Sequence, residues 1–313
     1  MKVLLVRTDD KVGDTVAETC FYRELKRGFP QAHLTVLASG DKRILQQISH
    51  IDKLIFIAPH GIKRWLKAFC LLPFLWTHRY DFLVSLTPTR SMKLFNKLVR
   101  ATQKIPFEYT LGKPFTAGYE DALKKIGVKT VDASYELFIP ADAQKKADDF
   151  LQTYALKGVP FILLNPAASC ASYTLTPTRV AEICTQLHEG GCHLPVVCLD
   201  YKRQYESLKK MFFCFTSDDI LAVAAVVAQA AYVLTVDTAI SHLAAAFNKP
   251  MTVLFTDQPK AGLPRAKRLE HLISFAPKTA NTQILWAEKT VNLISLKNIF
   301  SSVKMGFERA QKK

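Results

Sequence analysis

Short apolar runs alternate with amphipathic stretches along most of the chain. The apolar runs are rich in β-branched and aromatic residues and predict strands at 2–6 (KVLLV), 32–38, 80–86, 161–165 (FILLN), 194–200, 232–236 (YVLTV) and 251–255. The amphipathic stretches predict helices at 14–27, 141–156, 177–188, 204–211, 218–230, 239–247 and 291–311. Strands that alternate with helices form parallel sheets, so the pattern predicts an α/β protein.

The helical pattern from Ala141 to Leu156 ends at Lys157-Gly158, just before the apolar run FILLN opens a new set of strands. We therefore expect two doubly wound domains, residues 1–157 and residues 158–313. In such sheets ligands bind beyond the carboxyl ends of the strands.

The segment from Tyr232 to Pro250 joins a buried strand to an Ala-rich helix through Asp237-Thr238. A helix start offers free N–H groups and a partial positive charge, so an anion is its natural ligand. His242 follows one turn after Thr238 and could face the same anion. Alternatively, Asp237 or Thr238 only caps the helix and His242 is an ordinary helical residue.

The 313 residues carry a formal charge of +15 and a pI near 9.5, which favours an anionic partner such as nucleic acid, an anionic membrane or a phosphorylated sugar. No helix-turn-helix, RNP or zinc-finger pattern favours nucleic acid. The first βαβ unit lacks a G-x-G-x-x-G loop, which argues against a dinucleotide site.

Seven scattered cysteines without a C-x-x-C pair suit a reducing cytoplasm. No Asp-x-Asp motif or His/Asp cluster is present, so we expect no metal. The apolar run at the N-terminus is too short for a signal peptide, and no run reaches transmembrane length.

The segment VDTAISHLAAAFNKP resembles the donor-binding signature of the ADP-heptose:lipopolysaccharide heptosyltransferases, glycosyltransferase family 9, which has Asp-Thr-Gly, two residues, then His-Leu-Ala-Ala. Asp237, Thr238 and His242 match it, and Ala239 replaces the glycine. The resemblance implies that Asp237, Thr238, Ala239 and His242 bind a nucleotide-sugar donor. It also implies a GT-B fold, two Rossmann-like domains facing across a cleft, with the last helix packing back on the first domain.

The segment NPAASCASYTLTPTRVAEI resembles a second donor motif, Asn-Pro-Gly-Ala-Ser followed by Lys-Arg-Trp-Pro and Arg-Phe-Ala-Glu. Asn165 and Ser169 match, whereas Tyr173 stands where the family has lysine. That lysine would balance the charge of a diphosphate leaving group. Tyr173 could donate one neutral hydrogen bond instead, and Lys202, Arg203 or Lys260 could supply charge from other loops.

Ser169, Ser172 and Thr174 are candidate phosphate donors or simply turn residues. The nucleoside is expected in the loop after CLD, which begins at Asp200-Tyr201, but no individual residue of this loop matches a family motif.

The loop RTDDKVGDTV resembles the family's opening motif, whose Gly-Asp carries the catalytic carboxylate, here Gly13-Asp14. An acceptor hydroxyl must lose a proton as it attacks the sugar C1, and Asp14 is the candidate base. Asp9 and Asp10 are rivals in the same loop, and an aspartate at a helix start is also a common N-cap.

Residues 60–113 are basic, with aromatic residues interleaved, as in IKRWLKAFCLLPFLW. This stretch is either a helix on an anionic membrane, with Trp65, Phe69 and Trp76 inserted, or a core helix with a solvated charged face. Arg90 and Lys93, beyond the strand at 80–86, are candidates for binding an anionic acceptor.

The resemblance implies an inverting, metal-independent glycosyltransferase that transfers heptose from ADP-heptose to the inner core of lipopolysaccharide. It would act as a peripheral protein at the cytoplasmic face of the inner membrane, with no cofactor beyond its substrate. The alternatives are the same fold with another nucleotide sugar, a non-catalytic carbohydrate-binding relative, and a nucleic-acid binder.

Overall fold

The computed structural model describes residues 1–8, 10–57, 62–86, 90–108, 110–201, 203–257, 264–277, 279 and 281–311. The chain forms two compact units, Met1–Phe138 and Ile139–Lys313. The boundary lies earlier than the predicted residue 157. The helix Ala141–Thr153 belongs to the second unit, where Lys146 pairs with Asp219 at 2.8 Å.

The first unit is a five-stranded parallel sheet with helices. Its elements are β1 (Lys2–Arg7), α1 (Val12–Ala17), α2 (Thr19–Gly28), β2 (His33–Ala38), α3 (Lys42–Gln46), β3 (Lys53–Phe56), α4 (Ile62–Cys70), α5 (Leu72–Thr77), β4 (Tyr80–Ser85), α6 (Arg90–Leu98), β5 (Ala101–Pro106) and α7 (Thr116–Ile126). The strand order is β3-β2-β1-β4-β5. The single helix predicted at 14–27 is two helices that meet at Glu18.

The second unit is a six-stranded parallel sheet. Its elements are α8 (Ala141–Thr153), β6 (Ile162–Asn165), α9 (Pro177–Glu189), β7 (Val196–Leu199), β8 (Phe213–Phe215), α10 (Ile220–Gln229), β9 (Tyr232–Val236), α11 (Ala239–Ala246), β10 (Met251–Thr256), α12 (Arg265–Phe275), β11 (Thr282–Ala287) and α13 (Leu296–Gln311). The strand order is β11-β10-β9-β6-β7-β8.

The helix predicted at 204–211 is wrong, because only a short 3-10 turn forms at Glu206–Leu208. The buried carboxylate of Asp200 accepts hydrogen bonds from the amides of Gln204 and Tyr205, at 2.8 and 2.9 Å, and this turn competes with a helix. Helix α13 packs on α9 and on β9, β10 and β11 of its own unit. Its packing on the first domain stays a prediction.

Alternate residues of β1 face two hydrophobic clusters on opposite sides of the first sheet. Val3 and Leu5 pack with α2 and α7, whereas Leu4 and Val6 pack with α4, α5 and α6. Helices therefore leave β1 and β4 toward opposite faces of the sheet. In the second sheet, the helices that follow β6 and β9 also lie on opposite faces. Helix α9 belongs to the hydrophobic cluster that contains Ile162 and Leu234, whereas α11 packs against α10.

Such a reversal separates the loops after two neighbouring strands and opens a crevice at their carboxyl ends. Each unit therefore has one such crevice. Asp14 follows β1 in the first unit, and the segment 237–242 follows β9 in the second.

Candidate functional site

The two sequence motifs of the second unit meet at the carboxyl ends of β6 and β9. Asn165, the last residue of β6, is buried, and its Nδ2 donates to Oγ1 of Thr235 and of Thr238, at 2.9 Å each. β6 and β9 are hydrogen-bonded neighbours with Asn165 opposite Thr235. The bridge fixes the position of Thr238 at the entrance of α11.

Thr238 is the N-cap of α11, and its Oγ1 accepts a hydrogen bond from the Ile240 amide at 3.3 Å. The oxygen is the acceptor in this bond and in the bond from Asn165, so the hydroxyl keeps its own proton to donate. The amide of Ala239 is the first of the helix and has no intrahelical partner. These groups, with the helix dipole, suit an anion at this position.

Asp237 does not cap α11; its backbone amide donates to the carbonyl of Leu254 on the neighbouring strand, at 3.1 Å. His242 lies in the first turn of the helix and is half-buried. Capping by Thr238 and anion binding are compatible here, because the cap uses the lone pairs of the hydroxyl and an anion would use its proton.

Tyr173 lies in a 3-10 turn, Ala171–Tyr173, and its hydroxyl donates to the carbonyl of Thr256, the last residue of β10, at 2.7 Å. The expected hydrogen bond from Tyr173 to a nucleotide therefore requires this bond to break. Burial, and then the charges of Asp237, Cys170 and Asp257, raise the pKa of Tyr173. The position of the family lysine thus holds a neutral side chain with two aspartates nearby.

The loop after β6 is held by Thr174, whose Oγ1 accepts from the Ala168 amide at 3.1 Å and lies 3.0 Å from the Cys170 carbonyl. These bonds assign Thr174 a structural role in the turn. Ser172 Oγ lies 3.1 Å from Cys170 Sγ. Ser169 is exposed at the end of this loop and is the candidate phosphate donor that these bonds leave accessible.

Sequence reasoning missed Asp257, which follows β10 as Asp237 follows β9. It is buried and pairs with Arg268 of α12, Nη1 to Oδ2 at 2.9 Å. Its Oδ1 also accepts from the Lys289 amide at 3.3 Å. The sequence signal that could have identified Asp257 is the position of an aspartate directly after an apolar strand. Arg268 brings a guanidinium to the carboxyl end of this sheet.

In the first unit, Asp14 is the third residue of α1, and its side chain is 14% exposed with Lys11 Nζ at 3.9 Å. Lys11 is the N-cap, so the alternative that Asp14 serves as the N-cap is wrong. The carboxylate stands in the first helical turn, where the dipole stabilises its charged form. A charged, partly exposed carboxylate is the form that accepts a proton.

A buried ion pair lies beside the loop that leads to Asp14. Arg7 and Glu18 are both almost fully buried, with Nε and Oε2 2.6 Å apart. Arg7 Nη1 also donates to the Ser39 carbonyl at 2.9 Å, and the Tyr22 hydroxyl donates to Glu18 Oε2 at 2.9 Å. The network joins the carboxyl ends of β1 and β2 to the junction of α1 and α2.

Several predicted residues, or their side chains, lie outside the described residues. Arg90 begins α6, after β4, and Lys93 lies on the same helix, but their side chains are outside the described residues, as is that of Trp65. Asp9, Lys202 and Lys260 also lie outside the described residues. Arg203 is exposed, with a positive φ of 53°.

Within the described part of the chain, no helix is long and apolar enough to cross a membrane. In the same residues, no group of three or more His, Cys, Asp or Glu side chains is arranged to hold a metal ion.

The sequence model described as "Glycosyltransferase family 9 (heptosyltransferase)" matches residues 115–290, more than half of the chain. No curated protein sequence matches. Among solved structures, a family 9 glycosyltransferase from Veillonella parvula is 14% identical with a TM-score of 0.78, covering 98% of this chain and 97% of that one.

E. coli ADP-heptose LPS heptosyltransferase II is 15% identical with a TM-score of 0.70, over 99% of this chain and 100% of that one. E. coli heptosyltransferase WaaC with ADP is 16% identical with a TM-score of 0.68, over 100% of both. At these identities the likeness establishes the fold. The predicted GT-B class, two parallel sheets with alternating helices, is confirmed.

Proposed function

The chain belongs to glycosyltransferase family 9, and from this premise we propose that it transfers heptose from ADP-heptose to the inner core of lipopolysaccharide. The bridge from Asn165 to Thr238 carries the proposal, because it fixes a hydroxyl donor and a helix start together at the crevice of the second sheet. Solved structures of this fold include one with ADP.

In the proposed donor site, the diphosphate of ADP-heptose lies at the start of α11. Thr238 donates its hydroxyl proton, Ala239 its amide and His242 a ring N–H. Ser169 approaches from the loop after β6. Asp237 stands beside them, at the end of β9. The helix start contributes only about 0.3 to 1 kcal/mol toward the charge, so hydrogen bonds from several groups are needed.

In the proposed reaction, the acceptor hydroxyl oxygen forms a bond to C1 of the sugar as the bond from C1 to the diphosphate oxygen breaks. The proton moves to the Asp14 carboxylate, and ADP leaves with the electron pair. Attack from the face opposite the diphosphate inverts the configuration at C1. This step uses no metal, since hydrogen bonds and the helix dipole stabilise the leaving group. Arg90 and Lys93 are the proposed contacts to an anionic acceptor core.

The test combines binding and turnover. ADP should raise the melting temperature more than UDP or GDP, and ADP-heptose with a heptose-deficient lipopolysaccharide should release ADP.

Asp14→Asn should keep ADP binding but lower kcat by about 10²- to 10⁴-fold. Thr238→Val, of similar shape, should weaken ADP binding while Thr130→Val, a surface control in the first unit, should not. Unchanged turnover in Asp14→Asn would exclude Asp14 as the base.

A second candidate, transfer of a different nucleotide sugar, is favoured by Tyr173. The Tyr173 hydroxyl already donates its proton to the Thr256 carbonyl, and the charges of Asp237 and Asp257 contribute to raising its pKa. The site around Tyr173 is therefore less favourable for an anion than it would be with a lysine at this position. Stabilisation by UDP or GDP but not by ADP would select this alternative. Stabilisation by lipopolysaccharide without turnover of any donor would select a carbohydrate-binding protein.

A further inference from the structure

Helices α4, α5 and α6 form one layer over the first sheet. Their inner side chains, Ala68, Leu72, Leu75 and Phe95, pack on Leu4 and Val6 of β1. Phe69 of α4 contacts Phe95 of α6, with ring centroids 6.1 Å apart. The layer is therefore part of the core on one side. Phe69, which the membrane alternative would insert into a bilayer and the other alternative would place in the core, lies partly buried within this layer.

The outer side of this layer carries large apolar side chains that the core does not use. On α6, Leu94 is 53% exposed and Leu98, one turn later, is 40% exposed. Trp76 at the end of α5 is 36% exposed, and its Nε1 donates to the Leu98 carbonyl at 2.8 Å. Leu94, Leu98 and Trp76 thus form one outer apolar cluster, which we call the α5–α6 patch.

Basic side chains surround the α5–α6 patch. The Arg100 guanidinium lies over the Trp76 ring, 5.3 Å from its centroid. Lys97 is exposed beside Leu98, and Lys104 Nζ donates to the Lys97 carbonyl at 3.0 Å. Residues 60–104 contain nine Lys or Arg and one acidic residue, Asp81, which accepts a hydrogen bond from the Lys2 amide at 2.7 Å.

We propose that the α5–α6 patch docks on the surface of an anionic lipid bilayer, with Leu94, Leu98 and Trp76 at the acyl boundary and Lys97, Arg100 and Lys104 at the headgroups. Exposed aliphatic and indole side chains surrounded by cationic side chains are typical of proteins that bind at the surface of an anionic membrane. A nucleic acid could bind the cationic side chains but would not bury two exposed leucines on one helix face. The two leucines therefore favour a lipid bilayer over a nucleic acid as the partner.

The patch lies at the amino ends of β4 and β5, because α5 precedes β4 and α6 precedes β5. Asp14 follows the carboxyl end of β1, at the opposite edge of the sheet. Docking through the patch therefore leaves the proposed catalytic edge uncovered. Helix α6 itself runs from Arg90, the proposed acceptor contact, to the patch. The inference concerns lipid binding and does not depend on the proposed reaction.

The experiment is flotation of the full chain with vesicles of phosphatidylcholine, with and without phosphatidylglycerol, over a salt series. We expect binding only to the anionic vesicles, and weaker binding as salt rises. Each basic residue at an anionic surface strengthens binding about fivefold, so Lys97→Glu with Arg100→Glu should weaken it at least about 30-fold. Leu94→Ser with Leu98→Ser should also weaken it, with the charge unchanged.

The matched control is Lys124→Glu with Lys129→Glu, which makes the same charge change in exposed residues. Lys124 lies on α7, which packs on the opposite face of the sheet, and Lys129 follows that helix. The control should float as the wild type does, and thermal unfolding should show that all variants fold. Equal loss in the control, binding to neutral vesicles alone, or no binding by the wild type would overturn the proposal. Capture of an oligonucleotide instead of vesicles would assign the patch to nucleic acid.

Discussion

Arg7→Met is expected to destabilise the first unit severely, because it removes one partner of a buried ion pair. Arg7 and Glu18 are 0% and 1% exposed, and their charged atoms are 2.6 Å apart. Methionine fills a similar apolar volume but leaves the Glu18 carboxylate in the interior with its cation gone. It also removes the donor to the Ser39 carbonyl.

Breaking a buried pair by removing one partner costs roughly 3 to 5 kcal/mol, since the remaining charge loses its compensation but not its desolvation penalty. A domain is stable by only about 5 to 15 kcal/mol, so the loss is a large fraction of the total. Arg7→Met combined with Glu18→Gln should recover most of it, because the glutamine oxygen is neutral and still accepts from Tyr22.

The assay is urea unfolding followed by tryptophan fluorescence in a Trp286→Phe background. The remaining tryptophans, Trp65 and Trp76, are in the first unit, so the signal reports on that unit alone. A loss below about 1 kcal/mol in Arg7→Met, the range of a single ordinary hydrogen bond, would refute the reasoning. A double variant no more stable than Arg7→Met would refute it equally.

Three further predictions follow from single contacts. Gly306→Ala should destabilise the second unit by about 1 to 3 kcal/mol in urea unfolding, because the added Cβ would lie 2.5 Å from the Tyr232 hydroxyl; equal stability would contradict this. Tyr173→Lys should tighten ADP binding at least about fivefold in calorimetry, as a cation replaces a neutral group beside two aspartates; an unchanged Kd would contradict the proposed donor site. Burial raises the pKa of Asp52, but hydrogen bonds from Lys26 and a backbone amide hold it below its ordinary value. Asp52→Asn should therefore lower the melting temperature near neutral pH, and the deficit should vanish as the pH falls through the folded-state pKa; a deficit that persists in acid would contradict this.

The buried strands were predictable because their runs consist mainly of apolar, β-branched and aromatic residues, and the polar residue that recurs within them, threonine, is itself β-branched. The strand at Tyr232–Val236 forms at the predicted residues, and Thr238 caps the next helix. Strands at the edges of the sheets were missed. Lys53–Phe56 is only half-buried, and Ala101–Pro106 and Thr282–Ala287 carry polar side chains outward, which an edge strand tolerates.

Local periodicity and motifs within single segments were enough to predict the two α/β units, the family and the start of α11 at Asp237-Thr238, because each of these depends on residues close together in the chain. Which of these residues are in contact depends on how the strands are ordered and packed. The tertiary structure brings Asn165 to Thr238 across neighbouring strands, engages Tyr173 with the Thr256 carbonyl, and sets Asp257 beside Arg268. Strand order and packing create these contacts between distant segments, and no local pattern encodes them.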